Sequence, residues 1–338
     1  MSTQEWNILR VFLLREAARN ECSRVRITND CLKTLFPRER IHYSKLHELA
    51  GYMMPLFQDF KRVTERKGNK MGIILSIEKG KTGICGVRKN IDGDLFLLVY
   101  GRIAARNVDP IEKKPLYHFL PGSKTFSIGT VGCNFKCEWC QNFDISQASK
   151  EKKIFGENLT PEQIVEEAIK TGCKSIAYTY NEPAIFVEFV KDCAVLAKNK
   201  GLKNILVTNG YFSKESFDFI KGYIDAVNID LKSFNEKTYQ RYCGAKLEFV
   251  LENIKWFHDF GIHVEITTLI IPELNDSDKE LENIAKFIAS IDKNIPWHIS
   301  RFFPMHKMRD KEITPIETLE KAGKIGKKYL KYVHVGNV

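Results

Sequence analysis

The stretch Thr130-Val131-Gly132-Cys133-Asn134-Phe135-Lys136-Cys137-Glu138-Trp139-Cys140-Gln141-Asn142 sets three cysteines in a CxxxCxxC spacing, directly after an apolar run that begins at Phe126. The run 126–131 reads as a β-strand, so the thiols sit on the loop that leaves a strand's carboxyl end. Three soft thiolates on so short a loop can hold three irons of a cubane cluster and leave the fourth iron without a protein ligand. An iron left open in this way is a reactive position. A structural site closes its coordination with a fourth protein donor, and no further Cys or His lies in this loop. The competing reading is a zinc knuckle completed by a distant residue such as Cys85 or Cys173; the strand-then-loop context favours the cluster.

Working outward, short β-branched or aromatic runs alternate with longer helical patterns, the signature of repeated βα units. A helix begins at Thr160, where Thr160 and Gln163 form a capping box around Pro161, and its apolar face is Ile164, Val165, Ala168 and Ile169. Strands are expected over 175–180, 205–208, 226–231, 264–271 and 297–303. Helical patterns lie between them near 184–200, 214–221, 249–260 and 279–291, with Gly201 and Gly261 placed as carboxyl-terminal stops. Six strands followed by helices predict an α/β fold, a partial parallel (β/α)6 barrel open on one side and occupying 121–338. A helix over 315–330 and a short strand over 332–335 finish it.

Upstream, residues 81–120 form a hairpin and an extended approach segment. Ile91-Asp92-Gly93-Asp94 has the chemistry of a hairpin turn feeding the apolar run 95–100. The proline-punctuated run 109–122 docks before the first barrel strand, either lining the substrate entrance or plugging the barrel bottom. Residues 1–80 are basic and helical in pattern without βα alternation, and read as an N-terminal helical accessory domain; a helix-turn-helix reader has no distinctive support there.

With 338 residues, 43% of them hydrophobic, the chain can bury a full core and is not a disordered segment. Lys plus Arg exceed Asp plus Glu by 52 to 42, a formal charge of +10 that suits an anionic partner such as a nucleotide, an acidic protein or RNA. The alternative, a lysine-rich solvated surface, is favoured over nucleic-acid binding. Nine cysteines, scattered apart from the triplet, do not make a secreted disulfide framework. Arg10, Arg15 and Glu16 interrupt the amino-terminal apolar periodicity, so no signal peptide or membrane span is expected. These features together predict a cytoplasmic protein with no membrane partner.

Trp139 precedes the last cysteine of the triplet, and the loop thereby resembles the CxxxCxΦC motif of the radical S-adenosylmethionine (SAM) superfamily. The resemblance implies a radical SAM type of barrel and one 4Fe-4S cluster on Cys133, Cys137 and Cys140. It also implies SAM chelated through its amino and carboxylate groups, and an external one-electron donor for cleavage to a 5′-deoxyadenosyl radical. Tyr178-Thr179-Tyr180-Asn181-Glu182-Pro183 sits where the superfamily often has Gly-Gly-Glu-Pro, so Asn181, Glu182 and neighbouring carbonyls are expected to meet the SAM ammonium. A helix start, with Asn181 as cap and Pro183 in the first turn, fits the same residues.

Val207-Thr208-Asn209-Gly210 and Asp230-Leu231-Lys232 resemble the Thr-Asn-Gly and Asp-Leu-Lys segments of pyruvate formate-lyase activating enzyme. Thr208 and Asn209 are thereby implied to meet SAM polar groups, and Asp230 and Lys232 its ribose, its carboxylate or a cation, unless the two merely pair with each other. Pro304-Met305-His306 resembles a Pro-x-His segment near the SAM site, which makes His306 a site candidate against the ordinary surface histidine. Val207 and Thr267 stand where those enzymes carry an acidic residue and an arginine.

The runs Gly83-Ile84-Cys85-Gly86-Val87-Arg88-Lys89-Asn90 and Asn107 to Gly122, together with Cys140-Gln141-Asn142 and Arg241-Tyr242-Cys243-Gly244-Ala245, are similar to the radical SAM member of the so-called AmmeMemoRadiSam system over about 81–338. That resemblance implies cofactors and fold but no settled substrate: hydrogen abstraction from a protein glycine and modification of another protein or a small molecule both stay open. Cys243 reads as a buried cysteine ahead of a radical-site thiol. Lone Cys85 cannot hold an auxiliary cubane, so one cluster is expected. The alternative from another class is a basic iron-sulfur or zinc protein that binds nucleic acid without SAM chemistry.

Overall fold

The computed structural model describes residues 77–338. The accessory domain expected over 1–80 lies outside the described residues except for 77–80, which form a loop and a turn. The expected hairpin is present: Arg88–Ile91 pairs antiparallel with Asp94–Leu97, and Asp92 and Gly93 take positive φ at its tip.

A second small sheet pairs Arg102–Ile103 antiparallel with Glu157–Asn158, and one eight-stranded sheet carries the rest. Its strands are β1 (Ala105–Pro110), β2 (Lys124–Gly129), β3 (Ser175–Tyr178), β4 (Lys203–Thr208), β5 (Ala226–Asp230), β6 (His263–Ile270), β7 (Trp297–Arg301) and β8 (Val333–Gly336). Their order in space is their order in the chain. β1 pairs antiparallel with β2, and every later pair is parallel. A parallel pair needs a crossover, and helices supply most of them: α1 (Pro161–Lys170), α2 (Val187–Asn199), α3 (Lys214–Ile220), α4 (Leu247–Asp259), α5 (Asp278–Ile291) and α6 (Ile316–Gly326). This is the expected α/β partial barrel, with the expected short strand β8 at one edge and β1 added at the other. Among the described residues no helix is long and apolar enough to cross a membrane.

Local chemistry sets the helix ends. Thr160 and Gln163 make the reciprocal capping box, Ser213 and Ser277 accept from Ser216 N and Glu280 N, and Gly201 and Gly261 take left-handed φ of 76° and 85°. Helix α1 then buries Ile164, Val165 and Ala168 at helical spacing, each large apolar side chain contributing about 1.5–3 kcal/mol. Ile169 is the exception to the expected face; it is 47% exposed.

Three elements differ from expectation. Strand β2 ends at Gly129, because the Thr130 amide leaves the ladder and donates to Asn181 Oδ1 at 3.1 Å. The helix expected from 184 begins instead as a 3-10 turn, Pro183–Phe186, before α2. The sheet also recruits Ala105–Pro110, which the expected barrel boundary at 121 leaves outside.

The segment after β1 crosses the barrel interior. Ile111 and Leu116 form a small core with Ala177 of β3, Ile205 of β4 and Ala226 of β5. Asn228 Nδ2 donates to Pro115 O at 2.7 Å, and the amides of Tyr117 and His118 donate to the Glu265 carboxylate at 3.1 and 2.8 Å. His118 Nε2 lies 2.9 Å from His334 Nε2 on β8, so the segment leaves one edge strand and reaches the other. Both readings of 109–122 therefore meet in one strap: its apolar residues plug the barrel, while Glu112, Lys113, Pro115 and Tyr117 line the cavity above.

Candidate active site

The cysteine loop starts where β2 ends and is held from β3. Asn181 accepts from Thr130 N and donates to Thr130 Oγ1 at 2.9 Å and to Gly132 O at 3.0 Å. Gly132, at φ 99°, sits where a Cβ would stand 2.8 Å from Cys85 O, so only glycine lets the loop pass beneath the Cys85 turn. Cys133 and Cys137 are buried and Cys140 half-buried, and all three line one cavity of about 510 Å³. Phe135 N donates to Cys133 Sγ at 3.3 Å, and Cys140 Sγ lies 3.1 Å from Ser146 Oγ. Burial pushes the Cys133 and Cys140 thiols up, whereas a hydrogen bond from Cys243 holds Cys137 down. Trp139 lines the same cavity.

The carboxyl ends of β3 and β4 form the next wall. Thr179, Tyr180, Asn181, Thr208 and Asn209 line the cavity. Asn209 Nδ2 donates to Asn134 Oδ1 at 2.8 Å and lies 3.8 Å from Cys133 Sγ, tying this wall to the cysteine loop. Glu182 is different. It is fully buried, does not line the cavity, and accepts from Thr208 Oγ1, Asn209 N and Ala184 N at 2.6, 2.8 and 2.9 Å. The helix-start reading of this segment holds, with Glu182 rather than Asn181 as the cap. Burial, outweighing three donated hydrogen bonds, pushes its carboxyl up to about 7.

Asp230 and Lys232 follow β5 and face the same cavity, with Nζ 3.1 Å from Asp230 Oδ2. Burial opposes the Lys232 charge, but Asp230, with Cys137, Cys243 and Tyr239, holds its pKa well above the ordinary lysine value. His306 is not brought into the cavity. Its ring stacks on Phe143 at 5.0 Å, and the adjacent Lys307 N donates to Glu138 O at 2.9 Å, so its segment braces the outside of the cysteine loop.

No group of three His, Cys, Asp or Glu among the described residues converges on a single-ion position. A mononuclear zinc site needs its sulfurs at about 2.3 Å from one point. Cys133, Cys137 and Cys140 line one cavity, and thiolates are the donors an iron-sulfur cluster takes. The Radical SAM superfamily model matches residues 127–288, which contain this loop and strands β3 to β6. An uncharacterized protein of Methanocaldococcus jannaschii is 44% identical over 264 residues, covering 78% of each chain. A second protein of that organism, provisionally assigned as a glycyl-radical enzyme activating enzyme, is 30% identical over 62% of this chain and 80% of its own. The chain belongs to the radical SAM superfamily. Its fold is similar to that of a radical SAM methyltransferase from Sphaerobacter thermophilus, with a TM-score of 0.50 at 16% identity over 64% of this chain and 67% of that one.

As a radical SAM enzyme related to the activating enzymes, the protein uses one 4Fe-4S cluster and SAM. Sequence reasoning missed much of the wall of its cavity. His298 and Ser300 on β7, His334 and Gly336 on β8, the following Asn337, and Lys113 and Tyr117 on the strap also line it. The strand residues carry a signal in their alternate spacing, but which alternate set faces inward depends on the register with β6, where Thr267 opposes His298. Tyr180 lies at φ 69°, in the segment where the superfamily pattern has glycine, and its hydroxyl donates to Asp109 Oδ2 at 2.8 Å. Burial with Asp109, against the Asn107 amide, pushes this phenol up to about 12.

Proposed function

We propose that Cys133, Cys137 and Cys140 hold the cluster, and that Asn181, Thr208, Asn209, Asp230 and Lys232 surround SAM for hydrogen abstraction from a protein or small-molecule substrate. The observation that carries this reading is the opening of all three thiols onto one cavity that the Asp230–Lys232 pair also lines. When bound, the reduced cluster supplies the electron that splits the SAM sulfonium and yields the 5′-deoxyadenosyl radical.

The chain's own residues bind and exclude. Lys232 offers a fixed positive charge to the SAM carboxylate, and Asp230 an acceptor for ribose hydroxyls. The backbone carbonyls of Thr179 and Tyr180 are acceptors for the ammonium, a role that Glu182 is too deeply engaged to fill. Trp139 and the strap limit water at the reacting end. The likeness to an activating enzyme supports a protein glycine as substrate, and the electron would come from an external one-electron donor.

The test is anaerobic incubation of the reconstituted enzyme with SAM and dithionite. Formation of 5′-deoxyadenosine is expected, with deuterium transfer from a labelled candidate substrate identifying the abstracted hydrogen. A cluster-loaded protein that forms no 5′-deoxyadenosine would instead favour an iron-sulfur binding module.

A further inference from the structure

Four of the eight histidines gather around the strap: His118 on the strap itself, His263 on β6, His298 on β7 and His334 on β8. Sheet register brings two of them together. His298 stands opposite His334 across the β7–β8 pair, and their rings stack at 5.1 Å. From the strap, His118 Nε2 comes within 2.9 Å of His334 Nε2. Two ring nitrogens at that distance share one hydrogen: one donates and the other must be bare to accept. The bond therefore exists only while at most one of the two imidazoles is protonated. His118 is exposed, so the pair exchanges protons with solvent.

The charges around this pair do not favour a second proton. From β6, Glu265 places its oxygens 2.9 Å from His263 Nε2 and 2.6 Å from His298 Nε2, and it accepts the Tyr117 and His118 amides. Its hydrogen bonds are thus spent on other groups. From β7, His298 stacks on His334; from the strap, Tyr117 lies 4.9 Å from the His334 ring; ahead of β8, Tyr332 lies 4.4 Å from the His118 ring, with Lys331 Nζ over its other neighbour space at 5.0 Å from the Tyr332 ring. Two protons on the pair would set like charges 2.9 Å apart. Burial, with His298 and His118, also holds the His334 imidazole below its ordinary value, against the pull of Glu265. A histidine held down in the closed state takes up its proton more readily once released, so falling pH favours release. The contribution of the bond is complete above about pH 6.5 and fades below it.

The bond sits where it can control access. Strand β8 is the last of the sheet, and among the described residues no strand pairs with its outer side. His334 and Gly336 of β8 and Tyr117 of the strap line the cavity, so the seam between β8 and the strap is part of the cavity wall. We propose that the His118–His334 hydrogen bond is a pH-sensitive latch: it holds β8 against the strap while at most one imidazole is protonated, and parts when both are, opening the cavity at the barrel's edge. Histidine is the side chain whose ordinary titration falls in the range such a latch needs.

The experiment is hydrogen exchange read by mass spectrometry on the anaerobically reconstituted full chain between pH 7.5 and 5.5, corrected for intrinsic exchange rates. Wild type is compared with His334→Phe, which keeps a ring and removes the second proton, and with His118→Gln, which keeps a hydrogen-bonding group that does not titrate. In the wild type, segments 115–120 and 331–338 should lose protection by up to about tenfold per pH unit below about 6.5 for each proton taken up on opening, while β3, β4 and β5 stay protected. Both variants should show no such dependence. Glu265, drawn down to about 2, stays charged across this range, so its titration does not imitate the effect. Wild-type protection that is constant with pH would overturn the latch, as would a loss spread over the whole sheet or a pH dependence kept in either variant.

Discussion

Thr208 Oγ1 donates to Glu182 Oε1 at 2.6 Å, joining the carboxyl ends of the adjacent strands β3 and β4. The other carboxylate oxygen takes the Asn209 amide, and Asn209 in turn holds Asn134 of the cysteine loop. Two segments that look in sequence like separate SAM-binding motifs are thus halves of one brace beneath the loop.

Replacing Glu182 by Ala orphans three donors, two of them backbone amides. Destabilisation on the order of 3 kcal/mol is expected. Urea unfolding checks it, with Glu182→Gln recovering part of the loss because one oxygen still accepts from Thr208 and Ala184. An unchanged unfolding midpoint together with a large loss of SAM affinity by calorimetry would make Glu182 a direct SAM ligand instead of a brace.

Cys133→Ala, Cys137→Ala and Cys140→Ala should each abolish the reconstituted cluster, because a cubane with two protein thiolates is under-ligated and open to oxygen. Iron and sulfide near about four per chain are expected in the wild type, the content of one cubane. Three variants with wild-type iron content and visible absorption would contradict the assignment.

Lys232→Met separates a SAM contact from a private ion pair with Asp230. If the ammonium holds the SAM carboxylate, affinity falls by about 1.5–3 kcal/mol, the usual loss for a charge-assisted bond, while iron content is kept. Calorimetry with the reconstituted protein reads this directly. Unchanged affinity would leave Lys232 paired with Asp230 alone.

Acid stability should depend on Glu265. His263, His298 and the strap amides of Tyr117 and His118 surround its carboxylate and, against burial, draw it down to about 2. A folded-state value below the unfolded one means that the unfolded chain binds more protons between the two. The contribution is therefore complete above about pH 4.5 and fades as pH falls toward 2. At pH 6 Glu265→Gln should lose on the order of 3 kcal/mol relative to wild type. The gap between the two urea unfolding curves should narrow as pH is lowered to about 3; a gap independent of pH would show that the carboxylate charge does not hold the strap.

The local features were legible in the chain by itself. A capping box needs only Thr160 and Gln163, a helix stop only a residue such as Gly201 or Gly261 that tolerates left-handed φ, and a cluster loop only three cysteines within reach of one another. Strand and helix order followed from periodicity, and with it the parallel barrel, since each of these signals is written within about a dozen residues. Cys133, Cys137 and Cys140 therefore appeared as one group before any fold was known.

Tertiary structure decided what depends on residues far apart in sequence. Whether Glu182 faces a ligand or braces two strands turns on Thr208 and Asn209, twenty-six and twenty-seven positions away. His306 stands in a segment that resembles a site motif, yet its ring stacks on Phe143 at 5.0 Å. The strap could be placed only once β1 was paired with β2 and β8 stood at the opposite edge, because its path is fixed by Asn228, Glu265 and His334 on three different strands. Cys243 lies 107 positions from Lys136, and no pattern within the chain announces that a π-helical turn brings its carbonyl onto the Lys136 amide. The physical reason is the same in each case: propensity and periodicity act over a few residues, whereas burial and hydrogen bonding at a barrel's centre are settled by whichever strands meet there.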